Sequence, residues 1–503
     1  MLFIFMKYIS HTFAAKLKST LKHIKWKQSF LNKVKVQVKE LLACCWLASA
    51  AYLHLQKKVI VKLSLERYWI TKEVIVTDGY SFSVTDKNGN YKIDLNDKAE
   101  FVYLLTPKGY VADFSTGVPQ FFQPVEQSKK QYDFSLKKMQ GDSDKFVMIT
   151  MADTQLDTEA DVKRLFSETL PDIKETVSQC PGVQAAGIVL GDISWDVYIH
   201  NASYKEFAKQ LGFPVYPVIG NHDFDKYISV APGTDYAHIY KKEFGPLYYA
   251  VQLGDVYYIV LNNIDYYGNK KYKATLEIED QMKWLELLLN CVLQQDKQLV
   301  IAMHAPMKPS PERPLIDGGE NLKKMLMNKF QSTIISGHYH RNSNTDIGAG
   351  ITEHNLGAVC GTWWSGDTGS DGSPNGYQVF KGNKNKISWY YKATGKDASW
   401  QFKTYPKGSV MERPDAIVVK VWNWDSSWRV RWYQDDKLMG DMEQFYSYDP
   451  DYLAHLNGRR AVADYEPART NHYFSAIPSS TVKKIKIEVV DCFGNIYTEE
   501  VIL

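Results

Sequence analysis

Cysteine is scarce and scattered. The six in 503 residues, Cys44, Cys45, Cys180, Cys291, Cys360 and Cys492, have neither the spacing of a zinc site nor that of a disulfide framework. They read as mostly buried thiols, with a bridge between two distant ones left open. Internal repeats and low-complexity tracts are missing. Basic charge is also missing from most of the chain: of a net +3, residues 1–40 hold nine lysines against Glu40 alone, so the remainder is mildly acidic. Such a body offers a polyanion no broad basic face, which argues against nucleic-acid binding as the main business. What is present is 45% hydrophobic, 14% aromatic and 23% charged, the composition of a folded soluble body rather than a disordered, collagen-like or polytopic membrane protein. At roughly 100 to 200 residues per domain the length suggests about three domains.

The apolar run LLACCWLASAAYL at 41–53 is too short to span a bilayer but suits a signal-peptide core, and Ala48-Ser49-Ala50 fits a cleavage site. Export to a periplasmic or secreted location is the expectation, with any membrane contact made through this segment. Against it, the basic stretch with Lys16, Lys18, Lys22, Lys25 and Lys27 is longer than an ordinary signal n-region and also reads as an amphipathic surface helix. A third reading is that the region before about Val74 is partly out of frame. Residues 1–73 are therefore set apart as a signal or uncertain segment.

From Val74 the pattern is strand, turn, strand, with Val74-Ile75-Val76, Tyr80 to Val84, Asp86 to Asn90, Tyr91-Lys92-Ile93 and Phe101 to Leu105. Residues 74–140 read as a small β-sandwich. After Lys145 strands alternate with helices, the sign of an α/β layer fold over 141–370. Asp157 or Thr158 caps a helix with Val162, Leu165, Phe166 and Leu170 on one face. Ser203 with Glu206 predicts a capping box, stopped by Gly212. Met282, Leu285, Leu288, Leu289 and Val292 form a buried stripe. Over 371–503 alternating runs such as 417–421, 428–432 and 485–490 predict an all-β domain.

Five apolar strands of the middle region each run into a short polar motif. Phe146 to Thr150 leads to Asp153-Thr154-Gln155, and Gly187 to Leu190 leads to Gly191-Asp192. Val215 to Ile219 leads to Gly220-Asn221-His222-Asp223, Leu299 to Met303 leads to His304-Ala305-Pro306, and Thr333 to Ser336 leads to Gly337-His338-Tyr339-His340. Ligands of α/β sheets gather at such carboxyl ends, and glycine permits the sharp turn. Two carboxylates, an amide oxygen and three imidazoles make a mixed donor set suited to Mn, Fe or Zn rather than Ca or Mg, and sufficient for two ions.

The order of these motifs resembles the calcineurin-like metallophosphoesterase family, over about residues 145–365. The resemblance implies a four-layer α/β/β/α sandwich flanked by an N-terminal Ig-like or transthyretin-like β-sandwich and a C-terminal β-rich domain. It implies that Asp192 bridges two divalent metal ions, with Asp153 and His340 on the first and Asn221, His304 and His338 on the second. His222 would be the non-ligand histidine near the leaving group. Gln155 stands where the commonest pattern has a histidine, and its weaker amide oxygen favours Mn at the first site. The flanking segments Val76 to Tyr80, Lys392 to Gly395 and Asp491 to Asn495 resemble those of a bacterial-type group acting outside the cytoplasm.

The implied activity is hydrolysis of a small phosphoester, a diester or diphosphate before a monoester. A different class stays open: a non-catalytic protein with one metal at Asp192, Asn221, His304 and His338, capturing phosphorylated glycans through its β domains. Beyond the ligands, Asn221, Asp223, Arg313, Arg341, Trp363 and Trp364 are the candidate substrate contacts. Asp196 reads equally as a partner of a site histidine or as a helix cap. His200, His238 and His354 read as surface or loop histidines. Trp428, Val430 and Trp432 read as hairpin core before sugar stacking.

Overall fold

The computed structural model describes residues 58–62, 64–65, 74–231, 233–295, 297–360, 367–456 and 466–503. The expected signal core at 41–53, most of the segment read as out of frame, and the candidate contacts Trp363 and Trp364 lie outside the described residues.

Alternation along the central strands sorts their side chains into layers. Phe146 and Met148 pack with Ala186, Ile188, Tyr258, Val300 and Ile335 in one buried cluster. Their chain neighbours Val147, Ile149 and Met151 join Leu165, Ile173, Tyr204 and Phe207 in another. From the opposite side Ile259, Leu299, Ile301 and Ile334 meet Trp284, Leu285, Leu288 and Leu322. A period of two on strands that are apolar on both faces can be satisfied only by burying both. The result is two sheets face to face with helices outside each, the four-layer α/β/β/α arrangement.

The first sheet runs Val215–Pro217, Val183–Val189, Asp142–Met151, Gly376–Asn383, Lys386–Ala393, with the first three strands parallel and the last two antiparallel. The second runs Tyr249–Leu253, Val256–Val260, Gln298–Ala302, Gln331–Ser336, Ile351–Asn355, Ser343–Gly348, its four inner strands parallel. The first sheet thus takes in chain beyond residue 371, where the C-terminal domain was expected to open. The alternating pattern of 376–393 reads the same in either partner, and the antiparallel register that sets Lys145 against Asn383 and Thr150 against Gln378 assigns it.

Local expectations fare differently. Thr158 caps the first helix in a capping box closed by Asp161. Leu285, Leu288 and Leu289 are fully buried as predicted. The Ser203–Glu206 box does not form: a 3-10 turn at Tyr198–His200 starts the helix Asn201–Leu211 earlier, leaving Ser203 inside it. Gly212 does end it, at φ 81°, a conformation glycine adopts without a Cβ clash.

The N-terminal β unit contains a four-stranded sheet of Phe82–Val84, Ile75–Thr77, Phe101–Leu105 and Phe122–Pro124, and Val76, Val102 and Leu104 share the inter-sheet core with Tyr249 and Val251. The C-terminal domain has two four-stranded antiparallel sheets. Val419, Val421, Trp428, Val430, Phe474, Ile485 and Ile487 fill the space between them, with Trp432 packed alongside, so those tryptophans serve packing.

Candidate metal centre

Side chains from all five motifs meet at the carboxyl ends of the two parallel strand sets. Positive φ angles place them there: Asp153 51°, Gln155 39°, Asp192 50°, His338 71° and His340 53°. Left-handed backbone at non-glycine residues costs on the order of 1 to 3 kcal/mol each and persists where the surroundings impose it. The surroundings do so through backbone amides. His338 N–H donates to both Asp153 oxygens at 3.1 and 3.0 Å, and His222 N–H to Asp192 Oδ1 at 2.8 Å.

His304 is the hub. Its Nδ1 lies 2.7 Å from the Leu190 carbonyl, so that nitrogen carries a proton and Nε2 is the one turned to the site. Around Nε2 stand Asn221 Oδ1 at 3.0 Å, His338 Nδ1 at 3.1 Å and Asp192 Oδ2 at 3.3 Å. On the other side of Asp192, His340 Nε2 is 3.3 Å from Asp153 Oδ1. Asp192, His304 and His338 form one group of mutually close donor atoms, and Asp153, Asp192 and His340 a second, each within 4.8 Å. Asp192 belongs to both.

The electrostatics call for a cation. Burial raises the cost of ionising Asp192, but His304 and His222 beside it win and hold its carboxyl far below the usual range. Burial likewise disfavours a charged His304, yet Asp192 pushes its pKa up to about 9. His338, half-buried and facing His304, drops to about 3 as desolvation and the neighbouring His304 outweigh Asp192. Two buried carboxylates and several ring nitrogens are turned on common points, and the donors that reach the carboxylates there are backbone N–H groups of His338 and His222 and the Gln155 amide. A divalent ion fits the same donors without forcing ring nitrogens together, so the residues present suit the metals that the motif order implies.

Gln155 reaches the site but donates its amide to Asp192 Oδ2 at 3.1 Å, a position from which it orients the shared carboxylate. Asp223 departs from the expected substrate role. Its carboxylate is buried and accepts from the backbone N–H groups of Asp192, Ile193 and Gly220 at 2.8 to 2.9 Å; it holds the Asp192 turn in place. Burial and the Asp192 charge raise its pKa to about 7. His222 Nδ1 meets Asp196 Oδ1 at 3.0 Å, which decides the role of Asp196, and Trp195 stacks on the imidazole at 4.0 Å between centroids. Lys226 Nζ holds the other Asp196 oxygen at 2.5 Å.

Arg313 and Arg341 are exposed, and both act on the phenol of Tyr339, partly offsetting the rise that burial gives its pKa. His238 is exposed, but His200 and His354 are buried, contrary to the surface reading, with ring nitrogens at the Asp157 carbonyl and at Asn344. Residues with no sequence signal also shape the site. Tyr272, from the hairpin of Ile264–Gly268 and Lys271–Ala274, lies edge-on to His338 at 5.9 Å. Asn263 brackets the loop after His304 through Ala305 N and O. Glu353 accepts from Met307 N at 2.7 Å and Lys308 N at 2.9 Å.

A layered α/β sandwich with buried carboxylate, amide and imidazole donors at its strand ends defines the metal-centred class of phosphoester-processing folds. Family models described as calcineurin-like phosphoesterase match residues 151–342, its N-terminal part 71–139 and its C-terminal part 353–497. The chain belongs to the calcineurin-like phosphoesterase family. Among curated proteins it is similar to serine/threonine-protein phosphatase CPPED1 of Pongo abelii, at 28% identity over 187 residues, 35% of this chain and 55% of the relative. The Homo sapiens protein of the same name is 27% identical over 193 residues, 37% and 57% of the two chains. The chain spans about half the length of these curated relatives. Solved structures resembling it include purple acid phosphatase PPD1 from Lupinus luteus seeds, with TM-score 0.36, 10% identity and coverage of 64% of this chain and 66% of that one. A dimetal phosphatase from Danio rerio has TM-score 0.27, 14% identity and coverage of 48% and 98%.

Proposed function

We propose that the protein is a metal-dependent phosphoester hydrolase that directs water at a diester or diphosphate in preference to a monoester. The observation that carries this is the two donor groups sharing Asp192, with His222 beside them but bonded elsewhere. Asp153, Asp192 and His340, with Gln155 alongside, would hold one divalent ion, and Asp192, Asn221, His304 and His338 the other; Mn is the ion of choice because Gln155 replaces an imidazole. Such ions, when bound, supply Lewis acidity toward the phosphoryl group. The chain's own part is to orient the ester and handle the proton. Asp196 fixes the Nδ1 side of His222, so Nε2 is the atom that gives a proton to the departing oxygen. No side chain becomes phosphorylated in this scheme.

Turnover of bis-p-nitrophenyl phosphate with added Mn tests it. Release of p-nitrophenol that Asp192→Asn and a chelator both abolish is the expected result. Metal binding at one ion per chain with no turnover would favour the glycan-capturing alternative. Export through residues 41–53 is part of the proposal, and N-terminal sequencing of the mature protein checks it.

A further inference from the structure

Beside the metal centre lies a pocket of about 240 Å³ that the motifs do not explain. One wall comes from the segments that follow the histidines, with Pro306 two residues past His304 and Tyr339 and Arg341 on either side of His340. The other wall comes from the C-terminal domain, with Trp424, Arg469 and His472. Two almost fully buried side chains lining it carry polar atoms with no partner among the described residues. Neither the Asn342 amide nitrogen nor its oxygen has a hydrogen bond at 2% exposure, and His472 Nδ1 has none at 3%. Buried groups of this kind are normally satisfied, and those left over point to a missing ligand or water.

The charge of the pocket is positive on balance. Lys308, Arg341 and Arg469 line it against Glu312 and Asp371. Asp371 is already committed, accepting from Asn342 N at 3.0 Å and from Ser373 N and Oγ at 3.0 and 2.7 Å. Arg469 is held in advance: its Nη2 donates to the Tyr446 carbonyl at 3.0 Å, and its guanidinium lies 5.7 Å from the Tyr448 ring centre. A pre-placed guanidinium suits a planar or tetrahedral anion better than a loose ammonium would.

We propose that this interdomain pocket is a second anion subsite, which binds a phosphate or carboxylate carried by the substrate some distance from the bond that is cut. The proposal rests on the hydrolase reading and narrows it to substrates bearing two anionic groups on a polar linker, with Asn342 and His472 serving the linker. Arg341 supplies the charge nearer the metal centre and Arg469 the charge from the C-terminal domain.

Phosphonates test it without turnover, because a C–P bond resists hydrolysis. On the Mn-loaded full-length protein, calorimetric affinities are compared for propylphosphonate and for bisphosphonates from propane-1,3- to hexane-1,6-bisphosphonate. ω-Phosphonocarboxylates of the same lengths form the second arm. At one spacing the dianionic probe should bind about tenfold or more tightly than the single anion, and the arm showing the larger gain tells phosphate from carboxylate. Arg469→Ala and Arg341→Ala should each remove most of that gain, with Arg469→Lys retaining part of it. The readout is the ratio of affinities within one variant, so a general loss of folding cannot imitate it. No gain at any spacing, or a gain that survives both arginine substitutions, overturns the subsite. Absence of bis-p-nitrophenyl phosphate turnover with the gain intact would instead remove the hydrolase reading.

Discussion

His222 differs from the three other site imidazoles in what surrounds it. His304 and His338 have ring nitrogens directed at each other and His340 at Asp153, whereas His222 is bonded to Asp196 and stacked on Trp195. A residue so placed can move a proton without holding an ion. His222→Ala should therefore lower turnover of bis-p-nitrophenyl phosphate by about 10²-fold or more, within the range for a general acid. Bound metal, measured by elemental analysis, should stay at the native stoichiometry. Loss of an ion would show that His222 is a ligand. The identity of these histidines was legible because each follows an apolar strand directly. The stabilising role of Asp223 was not, because a carboxylate that binds three backbone amides is indistinguishable in sequence from one that faces substrate.

Strand ends set the positions of these side chains, and glycine makes the turns possible. A Cβ on Gly337 would run into the Asp153 carboxylate, and one on Gly220 into Asp192. Gly337 is not in the left-handed region, so Gly337→Ala introduces crowding rather than backbone strain. Asp153 must then shift, and with it the anchor that His338 N–H finds on both its oxygens. The expected outcome is loss of one bound ion and most activity, with circular dichroism near native because the strand Gln331–Ser336 keeps its pairing on both sides. Unchanged metal content would mean that Asp153 is not a ligand. At this scale the sequence shows a strand and its exit motif but not its neighbour. Residues 376–393 join the first sheet, and the helix at Asn201–Leu211 begins before the Ser203 motif, because pairing and packing across long separations override local signals.

Two buried lysines tie the whole molecule together in opposite ways. Lys392, on the last strand of the first sheet, binds both Asp172 oxygens at 2.8 and 2.9 Å, and Tyr377 Oη and Gly395 N donate to the same carboxylate. Lys420, in the C-terminal domain, is fully buried, and among the described residues Nζ has no hydrogen-bond partner. It faces Asp371, Asp449 and Asp451, and burial lowers its pKa despite them. Both carboxylates have other donors: Asn342 N and the N and Oγ of Ser373 serve Asp371, to which Lys420 adds its charge, and the Tyr405 and Tyr473 hydroxyls with Tyr452 N serve Asp449. Lys392→Met should cost about 3 to 5 kcal/mol, the usual result of leaving one buried partner uncompensated. Lys420→Met should cost far less, because an apolar stem of similar size replaces an ammonium that was never fully paired. The pH dependence separates them further. A lysine whose folded pKa is depressed binds fewer protons folded than unfolded, so its contribution to stability rises with pH up to the unfolded value near 10.5. Denaturant unfolding across that range should show a steeper rise for the native protein than for Lys420→Met. Equal slopes would mean that Lys420 stays charged in the fold, held by the carboxylates that face it.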